Sequence, residues 1–456
     1  MKGERPSWDE TLRGGPGHDL LIGGGDDPND DGSWNVYGGR GNDRLSASEG
    51  TTYVVLRGGP GDDDLDTTKG WGFLEGEEGD DAMAGTGYFL GGPGDDVMRG
   101  GGESLVSFFR ASGIHVDLEK GRAYGEGHDV VRGMAWVYGS GGDDVIYGTE
   151  DFNLVIGFKG SDRIFGRGGN DWLEGREGDD RTHGGPGNDR VFAAPGKDVV
   201  SGGLGDDELS NEYLEERYRN PITTEFRGGG GRDYLFLYLV RTTLRNESVS
   251  IDLEGSSAIG SQPLHISDVE DLDVGSRSQV EIFGNEADNR FHVEAPDAFL
   301  NGRDGDDVLS PSAERAVLDG GSGTDTADFK GHRSVIVDLE AGTITGPERL
   351  DGTIANIERV FGSWESDTFR GDANPNYFFG DSGNDTASGG GGDDVLDGWT
   401  EADSLDGGEG TDQCLNGEAV TNCESSGSAG GPFRRDFGRK PVRSPQPLAP
   451  LAHLWG

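Results

Sequence analysis

Gly166-Arg-Gly-Gly-Asn-Asp-Trp-Leu-Glu174, Gly184-Gly-Pro-Gly-Asn-Asp-Arg-Val-Phe192 and Gly202-Gly-Leu-Gly-Asp-Asp-Glu-Leu-Ser210 are copies of one nine-residue unit: glycines, then an aspartate, then an apolar residue. They belong to eight consecutive blocks over residues 139–210, and a second uninterrupted run of six covers 362–415. A fixed short period is the mark of a solenoid, in which each unit buries its apolar face only against its neighbours. The glycine-rich half must turn tightly. The last three residues of each block then form a short strand.

In the regular run the eighth position reads Ile146, Val155, Ile164, Leu173, Thr182, Val191, Val200 and Leu209, an apolar row with one exception. Its flanks include Arg163, Arg181 and Arg190. Alternation across a strand therefore sends the eighth residue inward and the charged flanks outward. Successive strands fall on opposite walls, and two blocks complete one coil.

This phase dictates which aspartates meet. Turns one coil apart stack Asp144, Asp162, Asp180 and Asp198 in one column and Asp171, Asp189 and Asp207 in another, headed by Asn153. Carboxylates at the strand spacing of about 4.8 Å repel one another unless a cation neutralises them. Calcium suits flexible all-oxygen sites better than magnesium, which demands a small octahedron. Zinc is disfavoured because the His residues are scattered and the two Cys lie far from the columns.

The 456 residues include 85 Gly, carry a formal charge of -47 and are only 32% hydrophobic. That composition alone describes a disordered chain, since too little apolar surface offsets chain entropy. The strict phase of the aspartates points instead to a chain that folds once its acids are neutralised. Such a polyanion repels nucleic acid and anionic membranes and attracts cations. The most apolar stretch, Tyr234-Leu-Phe-Leu-Tyr-Leu-Val240, is far too short to span a bilayer and reads as buried strand. The first ten residues hold no apolar segment of the kind a cleavable signal needs.

With these residues in view, the blocks resemble the Gly-Gly-x-Gly-x-Asp-x-U-x nonapeptide of the repeats-in-toxin (RTX) calcium-binding family. The resemblance implies an all-β, right-handed parallel β-roll with multiple calcium ions along its edges, unfolded at low calcium and folded outside the cell. The aspartates at the matching position are Asp19, Asp43, Asp63, Asp81, Asp96, Asp144, Asp162, Asp171, Asp180, Asp189, Asp198, Asp207, Asp233, Asp307, Asp325, Asp367, Asp385, Asp394, Asp403 and Asp412. These are the candidate metal ligands. Residues 148–156, 193–201 and 67–75 depart from the pattern, lacking the leading glycines, the aspartate, or both.

The expected organisation is an N-terminal extension (1–13), an interrupted repeat array (14–103), a longer coil (104–138) and the regular array (139–210). An insert with degenerate turns and a longer coil follows (211–300), then degenerate repeats with a further longer coil (301–361). A regular C-terminal array (362–424) precedes a disordered basic Pro/Arg tail (425–456). The longer coils share Ile114-His-Val-Asp-Leu-Glu, Val249-Ser-Ile-Asp-Leu-Glu and Val335-Ile-Val-Asp-Leu-Glu, whose period-two alternation indicates half-buried strand. Residues 211–219 read as a short surface helix.

Cys414 holds the inward eighth position of its block, and continuing the count puts Cys423 at the eighth position of the next half-coil. A disulfide between them would fasten the last coil, provided that coil pinches below the usual sheet separation of about 10 Å. It would also indicate an oxidising compartment. No metalloprotease, nucleophile-elbow or phosphate-loop motif is found. Adjacent acids such as Asp206 and Asp207 recur at every turn, which suits structural ligands better than a general acid and base. Trp136, Trp364 and Trp399 read as packing residues or as a binding face for glycan or protein. The expected function is a secreted, non-enzymatic calcium-binding scaffold, adhesin or surface protein. The alternative is the C-terminal repeat region of a larger exoenzyme or toxin, which the coding sequence upstream of Met1 would separate from the first.

Overall fold

The computed structural model describes residues 10–23, 34–48, 53–211, 224–239 and 248–427, apart from 256, 261 and 348. These residues form 43 strands and no helix. Most strands pair in parallel, each with the strand one coil ahead. On one wall Ile146, Ile164, Thr182 and Val200 stand in register; on the other Val155, Leu173, Val191 and Leu209 do. All eight are buried, Thr182 included, its hydroxyl tolerated between branched neighbours. One apolar core runs between the walls from Leu21 to Cys414, and Phe369 stacks on Phe378 across it. The chain is a parallel β-roll.

The three longer coils stay in the stack, but each adds an antiparallel strand that the sequence reading did not foresee. Arg122–Tyr124 runs antiparallel to His115–Asp117 and to the strand beginning at His128. Ser257–Ile259 and Thr343–Thr345 repeat the arrangement. The acid of each Asp-Leu-Glu turn is paired with an arginine: Asp117 with Arg167, Asp252 with Arg303, and Asp338 with Arg370. Tyr234–Tyr238 is a strand with Leu235 and Leu237 inward. No helix among the described residues is long and apolar enough to cross a membrane. The helix expected at 211–219 lies, beyond Asn211, outside the described residues.

The C-terminal end corrects two expectations. Ser425–Gly427 forms a last strand on Gln413–Leu415, so the roll extends three residues into the supposed tail; residues 428–456 lie outside the described residues. The repeat count also slips. Leu405 pairs with Val420, three residues earlier than the period requires, so Val420 and not Cys423 takes the wall position. Cys423 sits in the turn beyond and closes a disulfide to buried Cys414, with a Cα–Cα distance of 6.0 Å. The shortened coil is the pinch the bond requires.

Closing so short a loop contributes roughly 2–3 kcal/mol through the unfolded state. Because each coil contacts only its neighbours, the effect of Cys423→Ser should stay local. Hydrogen exchange should quicken over 404–427 and stay unchanged over 139–210.

Candidate metal centre: columns of stacked turns

Every half-turn places its sixth residue at the end of a turn and just before a strand, so parallel stacking brings sixth residues into line. The twenty predicted aspartates fall into four columns. The first holds Asp19, Asp43, Asp63, Asp81 and Asp96; the second Asp144, Asp162, Asp180 and Asp198; the fourth Asp367, Asp385 and Asp403. The third is the longest, from Asn153 through Asp171, Asp189, Asp207 and Asp233 to Asp307, Asp325, Asp394 and Asp412.

Within a column one contact recurs. The backbone amide of each aspartate donates to Oδ1 of the aspartate one coil ahead: Asp162 to Asp180 at 2.8 Å, Asp171 to Asp189 at 2.8 Å, Asp394 to Asp412 at 2.9 Å. The other carboxylate oxygen has no such partner. In seventeen of the twenty, all but Asp144, Asp198 and Asp367, Oδ2 is buried and unpaired. A buried acceptor left unmade costs on the order of 1–3 kcal/mol, more when charged. Seventeen repeats of that cost are not an accident of packing.

Each unpaired oxygen faces the first glycine of its own half-turn. A Cβ added to Gly184 would overlap Asp189 Oδ2 and the Gly202 carbonyl of the next coil; Gly166 and Gly157 repeat this with Asp171 and Asp162. A bare carboxylate oxygen and a backbone carbonyl oxygen therefore share the space that a side chain at the first position would fill. Among the described residues no three His, Cys, Asp or Glu side chains converge on one point. The available donors are one carboxylate per turn plus main-chain carbonyls, a hard oxygen set that fits calcium and not zinc.

Burial pushes Asp81 and Asp162 up to about 8, and Asp96, Asp171, Asp180, Asp207, Asp307 and Asp385 up to about 7, against the lowering effect of the amide donated from the coil behind. Neighbouring carboxylates add to the rise at Asp81 and Asp162. The sign follows directly. With folded values above the unfolded one, the cation-free roll binds more protons than the unfolded chain, so its stability falls as pH rises through the range of about 6 to 8. Without calcium, β structure should therefore survive better at about pH 5.5 than at about pH 8, and saturating calcium should remove the difference. Circular dichroism at the two pH values checks this.

Sequence reasoning missed several column members. Asp129 continues the first column beyond Asp96. Glu270, Glu358, Glu418 and Glu424 receive the amides of Asp233, Asp325, Asp403 and Asp412 with Oε2, the longer side chain reaching the same point. For the four glutamates, an acid immediately before a strand was the signal available. A second, exposed ladder runs alongside through the fifth residues, as where Asp206 N donates to Asn188 Oδ1 and Asn188 N to Asn170 Oδ1. Of the tryptophans, Trp136 and Trp399 lie against the roll, whereas Trp364 is exposed.

A family model described as RTX calcium-binding nonapeptide repeat (4 copies) matches residues 9–27, 37–70, 88–104, 138–173, 174–209, 361–396 and 379–414. The chain carries RTX calcium-binding nonapeptide repeats in several copies. Its matched segments contain the first, second and fourth columns almost entirely, and both ends of the third. The stretch between 210 and 360 carries RTX-like turns at Asp233, Asp307 and Asp325 outside the matched segments, joined to the same column by the same amide contact. No curated protein matches this chain closely enough to report.

Proposed function

We propose that this calcium-binding β-roll is a secreted, non-enzymatic protein that folds as calcium fills its columns and then serves as an extracellular scaffold, adhesin or surface component. The unpaired Oδ2 atoms carry the reading: seventeen buried carboxylate oxygens need a counter-charge that the chain itself does not supply. Asp19, Asp43, Asp63, Asp81, Asp96, Asp162, Asp171, Asp180, Asp189, Asp207, Asp233, Asp307, Asp325, Asp385, Asp394, Asp403 and Asp412 would hold the ions, together with carbonyls of the first glycines. Calcium would cross-link successive turns and cancel their repulsion. A metal at about millimolar concentration outside cells and far scarcer within them makes such a roll fold where it is delivered. The Cys414–Cys423 bond supports the same compartment.

Fractionation of the source cells, with thiol alkylation before lysis, tests the location. The protein should appear in the medium or on the surface with both cysteines blocked to alkylation. Recovery in the cytosol with two free thiols would defeat the proposal.

A further inference from the structure

The turns come in two conformations, and the second residue of the block separates them without exception. In all seventeen half-turns with an unpaired Oδ2 the second residue lies in the left-handed region, even where it is Glu77, Phe158, Arg176 or Trp399. In six others, whose second residues are Ser140, Thr149, Ala194, Asn285, Ser363 and Asp372, it does not. There its amide turns inward and donates to the sixth side chain of its own half-turn. Ser140 N reaches Asp144 Oδ2 at 2.7 Å, Ala194 N reaches Asp198 Oδ2 at 3.3 Å, and Ser363 N reaches Asp367 Oδ2 at 2.5 Å. Thr149, Asn285 and Asp372 donate to Asn153, Asn289 and Asn376.

We infer that these six half-turns take no cation: the oxygen that an ion would use is already held by the chain's own amide, so the second residue's conformation decides which turns bind metal. The inference rests on the calcium reading of the open turns. Three observations besides the amide contact support it. Half of the closed turns carry neutral Asn at the sixth position, which supplies no charge to bind a cation. In two of them an arginine already sits on the first carbonyl. Arg167 Nη1 donates to Gly148 O at 2.8 Å while pairing with Asp117, and Arg303 Nη1 donates to Gly284 O at 2.8 Å while pairing with Asp252. Finally, four of the six closed turns stand at the end of a run of column acids. The neighbours of Asp144, Asn153, Asp198 and Asp367 in the adjoining coil are Ile114, Ala135, Thr224 and Val335, none of them acidic. An ion there would find a carboxylate on one side only. At these four places the roll is clamped by protein alone.

Asp180 and Asp198 are neighbours in one column, joined by an amide contact of 3.0 Å, yet one half-turn is open and the other closed. The full chain is compared as wild type, Asp180→Asn and Asp198→Asn, counting bound calcium by equilibrium dialysis and following folding by circular dichroism. Asp385→Asn and Asp367→Asn form an independent second pair in the C-terminal array. Asp180→Asn and Asp385→Asn should each lose at least about one ion and raise the calcium midpoint about two-fold or more. Asp198→Asn and Asp367→Asn should keep the wild-type count and midpoint. Equal loss of ions from the open and closed members of either pair would overturn the inference while leaving the calcium reading intact. A wild-type chain that binds no calcium would overturn both.

Discussion

Excess chelator near neutral pH will abolish the β signal of this chain, and calcium between roughly 0.1 and 10 mM will restore it cooperatively, whereas magnesium will not. The expectation follows from the columns. Without a cation, seventeen aspartates keep a buried oxygen unpaired, and stacked carboxylates face one another at the strand spacing. With an affinity of about 10⁻⁴ M and about 2 mM calcium, each filled site would contribute about 1.8 kcal/mol by mass action. About ten such sites would match or exceed the stability of a typical domain. Far-UV circular dichroism during a calcium titration, with chelator reversal and a magnesium control, is the direct measurement. A β spectrum that persists in excess chelator would show that the columns are not the folding switch.

Gly178→Ala will be the most damaging single methyl group in the regular array. Gly178 is the fourth residue of its half-turn, with φ at 145°, and a Cβ there would overlap the carbonyl oxygen of Gly160 in the adjoining coil. That atom is backbone and cannot swing aside. Relieving the clash means parting the coils, which breaks the bond from Gly160 N to Glu177 O. Strained φ together with a broken stack should cost about 4 kcal/mol or more. Gly141→Ala is the control, since a Cβ there meets nothing and the residue has no left-handed φ. Denaturant melts in saturating calcium should separate the two, with the control within about 0.5 kcal/mol of wild type. Limited proteolysis of Gly178→Ala should cut near 175–183. A Gly178→Ala melt as stable as the control would mean that close coil stacking does not hold the roll together.

Much of this architecture was legible in the residues because it follows from counting. Leu173 and Val191 stand one above the other because eighteen residues separate them and two nonapeptides make a coil. The same count aligns Asp162 with Asp180. Where the coil length changes, counting fails. Cys423 was placed on the wall, yet the final coil loses three residues and Val420 takes that place. Glu270 and Glu358 escaped notice because they lie outside any clear nonapeptide, and only the register of the following strands reveals them as column members. The antiparallel strands at Arg122–Tyr124 and its counterparts depend on a chain reversal that period-two alternation does not encode.

The amino-acid sequence by itself determined the period, the inward row and the partners within each column, since these depend only on residue spacing and on the pleat. It did not determine which turns stand open. Asp381 and Asp372 occupy the second position of successive blocks and are the same residue, yet Asp381 has φ at 71° in an open turn and Asp372 closes its own. The difference lies in the coils on either side. In the open turn of Asp385 the fourth residue, Gly383, packs against the backbone of Glu365 in the coil behind. At the Asp367 turn the neighbouring coil offers Val335 where an acid would stand, and the Ser363 amide turns inward to the nearest oxygen. Backbone conformation there is set by neighbours far away in the chain and adjacent in space, so only the tertiary structure could decide it.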